Sequence, residues 1–186
     1  MPETATVQPD PAFVADVNAQ SGENVSLCYQ CRKCTNGCPL TFLMDILPNR
    51  MMRSVQLGLR DEVLRSHTIW VCASCETCTT RCPNDIDVAR VMDTLRRMAL
   101  RAGIEPAEPD MVKFHRSFLD TVRIHGRVFE AEMIGRYKMR TGQFTKDMAL
   151  GMEMFKKGKI KILPHRIKDK KAVREMFKRS REGSQP

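Results

Sequence analysis

A chain of 186 residues has room for one domain, or for a small domain with extensions. No stretch approaches the roughly 20 apolar residues that cross a bilayer, since the longest candidate, residues 40–47, contains Asp45; a soluble, cytoplasmic protein without a transmembrane segment is expected. The formal charge of +9 is unevenly placed, with 11 basic and 11 acidic side chains in residues 1–102 and 20 basic and 11 acidic in residues 103–186.

In chain order, residues 1–10 carry two prolines and little apolar content, which predicts disorder. A short helix over 11–20 would set Phe13, Val14 and Val17 on one side and stop at Ser21-Gly22. Residues 24–27 then lead into a run containing Cys28, Cys31, Cys34 and Cys38, closed by Pro39. The same run returns 44 residues later as Cys72, Cys75, Cys78 and Cys82, closed by Pro83, and the two copies hold all eight cysteines.

Each copy reads C-x2-C-x2-C-x3-C-P, the pattern that wraps a cubane iron–sulfur cluster in two-cluster ferredoxins. One tight loop can turn three closely spaced thiolates toward three iron corners. The fourth leaves on a proline and reaches the other cluster. The expected ligand sets are therefore Cys28, Cys31, Cys34 and Cys82 for one 4Fe-4S cluster and Cys72, Cys75, Cys78 and Cys38 for the second. Such crossing makes folding depend on metal, so the apoprotein is expected to fold poorly. Structural zinc fits less well, because its ligand pairs are usually spread over a dozen or more residues and three cysteines within seven crowd one tetrahedral ion. Disulfides would need an oxidising compartment, and residues 1–26 contain no charged, apolar, cleavable leader. The C-x3-C-x2-C loop of radical enzymes occurs in neither copy. With both clusters bound, eight thiolates and two oxidised cores bring the first half to about −4, an acidic head joined to a basic tail.

Between the runs, Leu40, Leu43, Met44 and Leu47 stand at helical spacing. Pro48 suits the first turn of a helix running to Leu57 and stopped by Gly58, and a shorter helix follows over 60–64. After Pro83, Asp87 reads as an N-cap, and Val88, Val91, Met92, Leu95, Met98, Ala99 and Ala102 form one stripe ended by Gly103. Helix signals where small ferredoxins place β-rich ribbons imply a mainly α fold: a helical two-cluster ferredoxin domain with a helical, basic C-terminal extension. The expected division is an N-terminal arm over 1–23, the cluster domain over 24–103 and the extension over 104–186. In the extension, helices are predicted over 109–125, 129–141, 145–157 and 169–181. Its apolar stripes are thin for an independent core. Residues 156–164 alternate basic and apolar side chains, as an extended arm laid on another surface would.

The stretch 27–103 resembles the C-type subunit of heterodisulfide reductase, through Cys28-Tyr29-Gln30-Cys31, residues 34–39, Gln56-Leu57-Gly58-Leu59, Ile69-Trp70-Val71-Cys72 and the helix after Pro83. Residues 135–177 resemble the tails of bacterial members more weakly. Arg32-Lys33 departs from the smaller or less charged pair expected in methanogen proteins. The resemblance implies an electron relay, taking electrons from a flavin-containing A-type subunit to a cysteine-rich catalytic B-type subunit. Two features agree with it: the clusters use every cysteine, leaving no catalytic residue to name, and the ten glycines form neither G-x-G-x-x-G nor a Walker loop, so no flavin or nucleotide site is expected.

The other candidates have plainer readings. His67 could hydrogen-bond a cluster ligand, but a partly exposed structural histidine is the commoner case. His115, His125 and His165 are expected in solvent, and Trp70 as a packing residue shielding a cluster. Arg32 and Lys33 against Glu76 would make the first cluster the more easily reduced. The basic extension suits a docking arm for protein partners. An iron–sulfur module binding nucleic acid is the alternative, weakened by only two tyrosines and no aromatic–basic interleaving.

Overall fold

In the computed structural model, residues 9–144, 148–159, 164 and 167–182 are described, and every element among them is helical. The expectation of disorder over 1–10 falls largely outside these residues, as do residues 160–163 of the expected extended arm over 156–164, the start of the helix expected at 145, and His165. The chain divides after Glu108 into two compact units.

The first unit opens with α1 (Pro11–Ser21), where Asp10 caps the N-terminus by accepting from the Ala12 amide at 2.9 Å and Pro11 occupies the first turn. Phe13 and Val17 are fully buried, so the helix is part of the core. Its entry is locked from outside: the Asp10 amide donates to the Gly58 carbonyl at 2.9 Å, and Gly58, at φ +70°, has no room for a Cβ, which would lie 2.5 Å from the Asp10 oxygen. Next come α2 (Lys33–Gly37) inside the first cysteine run, α3 (Pro48–Gln56), α4 (Arg60–Arg65), α5 (Thr68–Val71), α6 (Thr77–Thr80) inside the second run, and α7 (Val88–Arg101). Asp87 caps α7 through the Arg90 amide at 2.9 Å. Val91, Met92 and Leu95 of α7 are buried, as are Met51, Met52 and Val55 of α3, Val63 and Leu64 of α4, and Ile69 and Trp70 of α5. Helices α1, α4 and α5 pack on α7, and α2 packs on both α3 and α6.

The interval 40–47 departs from its helical spacing. Only a 3-10 turn, Thr41–Leu43, forms there, with Phe42 79% exposed. Pro48 holds Leu47 extended at ψ 149°, which stops a helix from running through. Asp45 is engaged elsewhere: its carboxylate accepts from the His67 and Thr68 amides at 2.8 and 2.9 Å, from the Thr68 hydroxyl at 2.7 Å and from the Ile46 amide at 2.8 Å. It thereby caps α5 from 22 residues away. Partial burial opposes ionisation of Asp45, but these four donors outweigh it and hold the carboxyl below its ordinary value.

The second unit contains α8 (Pro109–His125), α9 (Glu130–Thr141), α10 (Met148–Lys156) and α11 (Lys170–Glu182). The thin stripes predicted no independent core, yet α8 packs on α9 and on α11. Polar pairs supply much of the join. Arg140 donates to the Ser117 hydroxyl at 2.9 Å and the Asp120 carboxylate at 2.6 Å, and Glu132 pairs with His125 at 2.5 Å while Arg136, on the same helix as Glu132, braces it at 2.7 Å. Phe114 and Tyr137 meet edge to face at 5.8 Å. Asp169 caps α11 as expected, accepting from the Ala172 amide at 2.9 Å.

Candidate metal centre

The two cysteine runs take the same backbone path. In the first, Gln30 and Arg32 lie in the left-handed region, both at φ +64°; in the second, Ser74 and Glu76, 44 residues on, lie there at φ +50° and +60°. None of the four is glycine, so each bears a conformational cost of about 1 kcal/mol. Left-handed residues on either side of the middle cysteine curl the chain, and such alternation makes a concavity lined by backbone amides that suits anionic clusters. Strain repeated at equivalent positions is the mark of a shared task.

The runs also interlock. Short helices α2 and α6 pack together, and the Arg81 side chain lies against Gly37, where a Cβ would stand 2.6 Å from the arginine Cδ. Asn84, just after the second run, donates through Nδ2 to the carbonyl of Leu27, just before the first. Glu23 accepts from the Asp87 amide at 3.1 Å and pairs with Arg90 at 3.3 Å. The result is two cavities, each walled by both runs.

One cavity is lined by Cys28, Cys31, Cys34 and Cys82, together with Met52 and Ile86 among others. The second is lined by Cys72, Cys75, Cys78 and Cys38, with Leu40 and Met92 among its apolar wall. Val88, 3% exposed at the start of α7, lines both. Each cavity thus gathers the three closely spaced cysteines of one run and the last cysteine of the other.

The donor set is soft. Among the described residues, four thiols and no carboxylate or imidazole line each cavity, a chemistry suited to iron–sulfur clusters or zinc. Among the described residues, too, no three His, Cys, Asp or Glu side chains close around a single ion; the thiols instead stand around the wall of a wider space. These residues fit a cubane. Burial pushes the Cys78 thiol up to about 11, against hydrogen bonding from Thr79, and burial likewise raises Cys34, against hydrogen bonding from Thr35 and with Cys28 and Cys31 adding to it. Cys75, exposed at the loop tip, is lowered by hydrogen bonding with Thr77. Buried thiols release their protons to metal, so loading these cavities is linked to pH.

Two supporting groups gave no signal in the sequence. Arg96 of α7 is 8% exposed; its guanidinium donates to the carbonyls of Ile69 and Cys72 and lies 3.4 Å from the Ser74 hydroxyl, anchoring the second run where it begins. Arg32 and Lys33, the charges expected to favour reduction of the first cluster, are exposed, whereas this cation beside the second run is buried. Asn49, 8% exposed, connects Thr35 and Gln30 of the first run. Trp70 is a core residue, 1% exposed, whose indole N–H has no partner among the described residues. His67 pairs with Glu108 at 2.8 Å, the structural role.

Residues 27–87 match the family model of a 4Fe-4S dicluster domain. The chain is 31% identical over 94 residues to the C subunit of the H2:CoB-CoM heterodisulfide,ferredoxin reductase of Methanothermobacter marburgensis, covering 50% of this chain and 51% of that one. It is 40% identical over 81 residues to the second C-type iron–sulfur subunit of the CoB–CoM heterodisulfide reductase of Methanocaldococcus jannaschii, covering 44% and 43%. A protein of Archaeoglobus profundus that is itself like the heterodisulfide reductase C subunit is 34% identical over 87 residues, covering 46% of each. The chain spans about half the length of these relatives. Among the described residues no helix is long and apolar enough to cross a membrane. Residues 27–87 are therefore a helical iron–sulfur domain for two 4Fe-4S clusters, in a chain similar to the C subunits of heterodisulfide reductases.

Proposed function

We propose that the chain is an electron-relay subunit of a heterodisulfide reductase-like complex, passing electrons between a flavin-containing subunit and a cysteine-rich catalytic subunit. Cys28, Cys31, Cys34 and Cys82 ligate one 4Fe-4S cluster, and Cys72, Cys75, Cys78 and Cys38 ligate the other. The observation that carries this reading is the pair of four-thiol cavities with Val88 as a common wall. A bound cluster of this type supplies a one-electron carrier. Val88, Met52, Ile86 and Met92 restrict water around it, and the interlocked runs hold the two sites next to each other. Closeness of this kind serves transfer, and among the described residues the lining includes thiols and apolar side chains, with no carboxylate or imidazole.

In this reading the cluster domain covers 24–103, the N-terminal arm over 1–23 packs its helix α1 against that domain, and the basic extension over 104–186 docks on protein partners. The extension shows Met139, Phe144, Leu150, Met152 and Met176 at more than half exposure, so its surface is apolar as well as basic. Anaerobic purification tests the proposal: about eight iron per chain is expected, with a flavoprotein in the isolated complex. Removing residues 156–186 should leave the cluster spectra intact and weaken that association more than added salt weakens the intact complex, because apolar contacts are not screened. Recovery with nucleic acid and without a flavoprotein would overturn the assignment to a reductase.

A further inference from the structure

A chain of partly buried hydrogen bonds ends on a cysteine sulfur of the first run. It starts at a group whose polarity is beyond choice, the backbone N–H of Asn49, which donates to the Thr35 hydroxyl oxygen at 3.0 Å. The hydroxyl directs its own proton elsewhere, and of the two acceptors beside it, the Asn49 Oδ1 and the Cys34 sulfur, it is the Oδ1 that stands at 2.7 Å. With Oδ1 so engaged, the Asn49 amide nitrogen faces the Gln30 Oε1, at 3.2 Å. That leaves the Gln30 NH2 pointing at the Cys28 Sγ, 3.3 Å away. Each amide orientation follows from the one before it, so the whole series has a single direction, from a main-chain N–H to a ligand sulfur.

We infer that Thr35, Asn49 and Gln30 form a relay that aims a hydrogen-bond donor at the Cys28 thiolate and thereby raises the reduction potential of the cluster in that cavity. The inference rests on the proposed ligation by Cys28. Reduction adds negative charge, part of which falls on the ligand sulfurs, and a donor there stabilises the reduced form more than the oxidised one. Asn49 is 8% exposed and the Gln30 contact with Cys28 is partly buried, so the donor is held by the relay rather than supplied by solvent alone. Among the described residues the second run has no such buried series; there a single hydroxyl, that of Thr77, lies 3.5 Å from the Cys75 sulfur at the exposed loop tip. Ser74 stands where Gln30 stands in the first, and its hydroxyl faces Arg96 rather than a sulfur. The relay therefore acts on the first cluster without altering its ligands. Thr35 and Asn49 are positioning residues, acting through Gln30.

The test is a redox titration of the anaerobic holoprotein followed by EPR, with iron counted in each sample. Gln30→Met keeps the length of the side chain and removes the donor. Loss of one such bond, about 1 kcal/mol net, should lower the reduced-to-oxidised ratio of one cluster about fivefold at fixed potential. That is a negative shift of about 40 mV, at 59 mV per tenfold for one electron, with the other cluster unmoved. Thr35→Val, which leaves the Asn49 amide free to turn over, should shift the same cluster in the same direction, and Thr35→Ser should restore it. Eight irons with unshifted potentials in Gln30→Met and Thr35→Val would overturn the relay and leave the ligation standing. A wild-type protein lacking the clusters would overturn the ligation itself, and the relay with it. If Gln30→Met fails to fold, the Thr35 pair decides: equal potentials in Val and Ser variants refute the relay.

Discussion

Replacing Arg96 with methionine removes the anchor of the second cysteine run. The guanidinium is 8% exposed and bonds the carbonyls of Ile69 and Cys72. Methionine fills much of the same volume and donates nothing, so two carbonyls lose charge-assisted partners worth about 1.5–3 kcal/mol each. Ile69 is fully buried and its carbonyl finds no replacement, whereas Cys72 is half-buried and water can reach it, which places the total near the lower end, about 3 kcal/mol. At 1.4 kcal/mol per tenfold, the opened form of the run should become about 100 times more populated. Release of iron to a chelator, followed anaerobically by loss of cluster absorption, reads this population when opening and closing are fast. Arg96→Met should therefore lose its first four irons about 100-fold faster than wild type. Arg96→Lys, with one compact ammonium in place of the fork, should fall between. Arg97 supplies the control: on the same helix, 49% exposed and 3.7 Å from Asp93, its methionine variant should behave as wild type. Equal release rates in Arg96→Met and Arg97→Met would refute the anchoring role.

Cys38→Ser should disturb the cluster of Cys72, Cys75 and Cys78 before that of its own run, which EPR of the two clusters resolves; damage confined to the cluster of Cys28, Cys31 and Cys34 would defeat the crossed assignment. Gly58→Ala forces a Cβ to 2.5 Å from the Asp10 oxygen at φ +70° and should destabilise the first unit by about 2 kcal/mol, seen in denaturant midpoints with the m-value unchanged. Asp45→Asn removes the charge that caps α5 and should cost about 1 kcal/mol at pH 7. Because the folded-state pKa of Asp45 is depressed, its contribution is present above the unfolded value of about 3.9 and is lost as pH falls through the folded one. The stability difference between wild type and Asp45→Asn should accordingly shrink below about pH 4, a comparison that cancels the acid lability common to both.

Much of the cluster domain is local in origin and therefore legible in the sequence. Pro48 begins α3 and Asp87 caps α7, because proline geometry and a short carboxylate act within one helical turn. Cysteine spacing announced both cavities. The interval 40–47 misled because its apolar period survives in the sequence while Asp45 is drawn off to amides 22 and 23 residues away, a tertiary bond that no local pattern records. Arg96 and Asn49 escaped for a related reason. Each is an ordinary polar residue in an amphipathic helix, and what sets it apart is the loop carbonyl or side chain it meets after folding. The left-handed turns at Gln30, Arg32, Ser74 and Glu76 were equally hidden, since none falls on a glycine.

The sharing of each cavity between two runs also sets a timetable for making the protein. Cys82 lies 44 residues beyond Cys38, so a ribosome elongating at about 5–20 residues per second exposes the first run roughly 2–9 seconds before the last thiol of its cavity emerges. During that interval the nascent chain offers only an open three-thiol site, and the second cavity already has its Cys38 waiting for three thiols yet to come. Cluster delivery to a half-made chain would meet incomplete ligation in both places. Insertion is thus expected after translation has passed Cys82, on a chain whose two halves have already met, and a premature stop between the runs should yield a product that retains neither cluster.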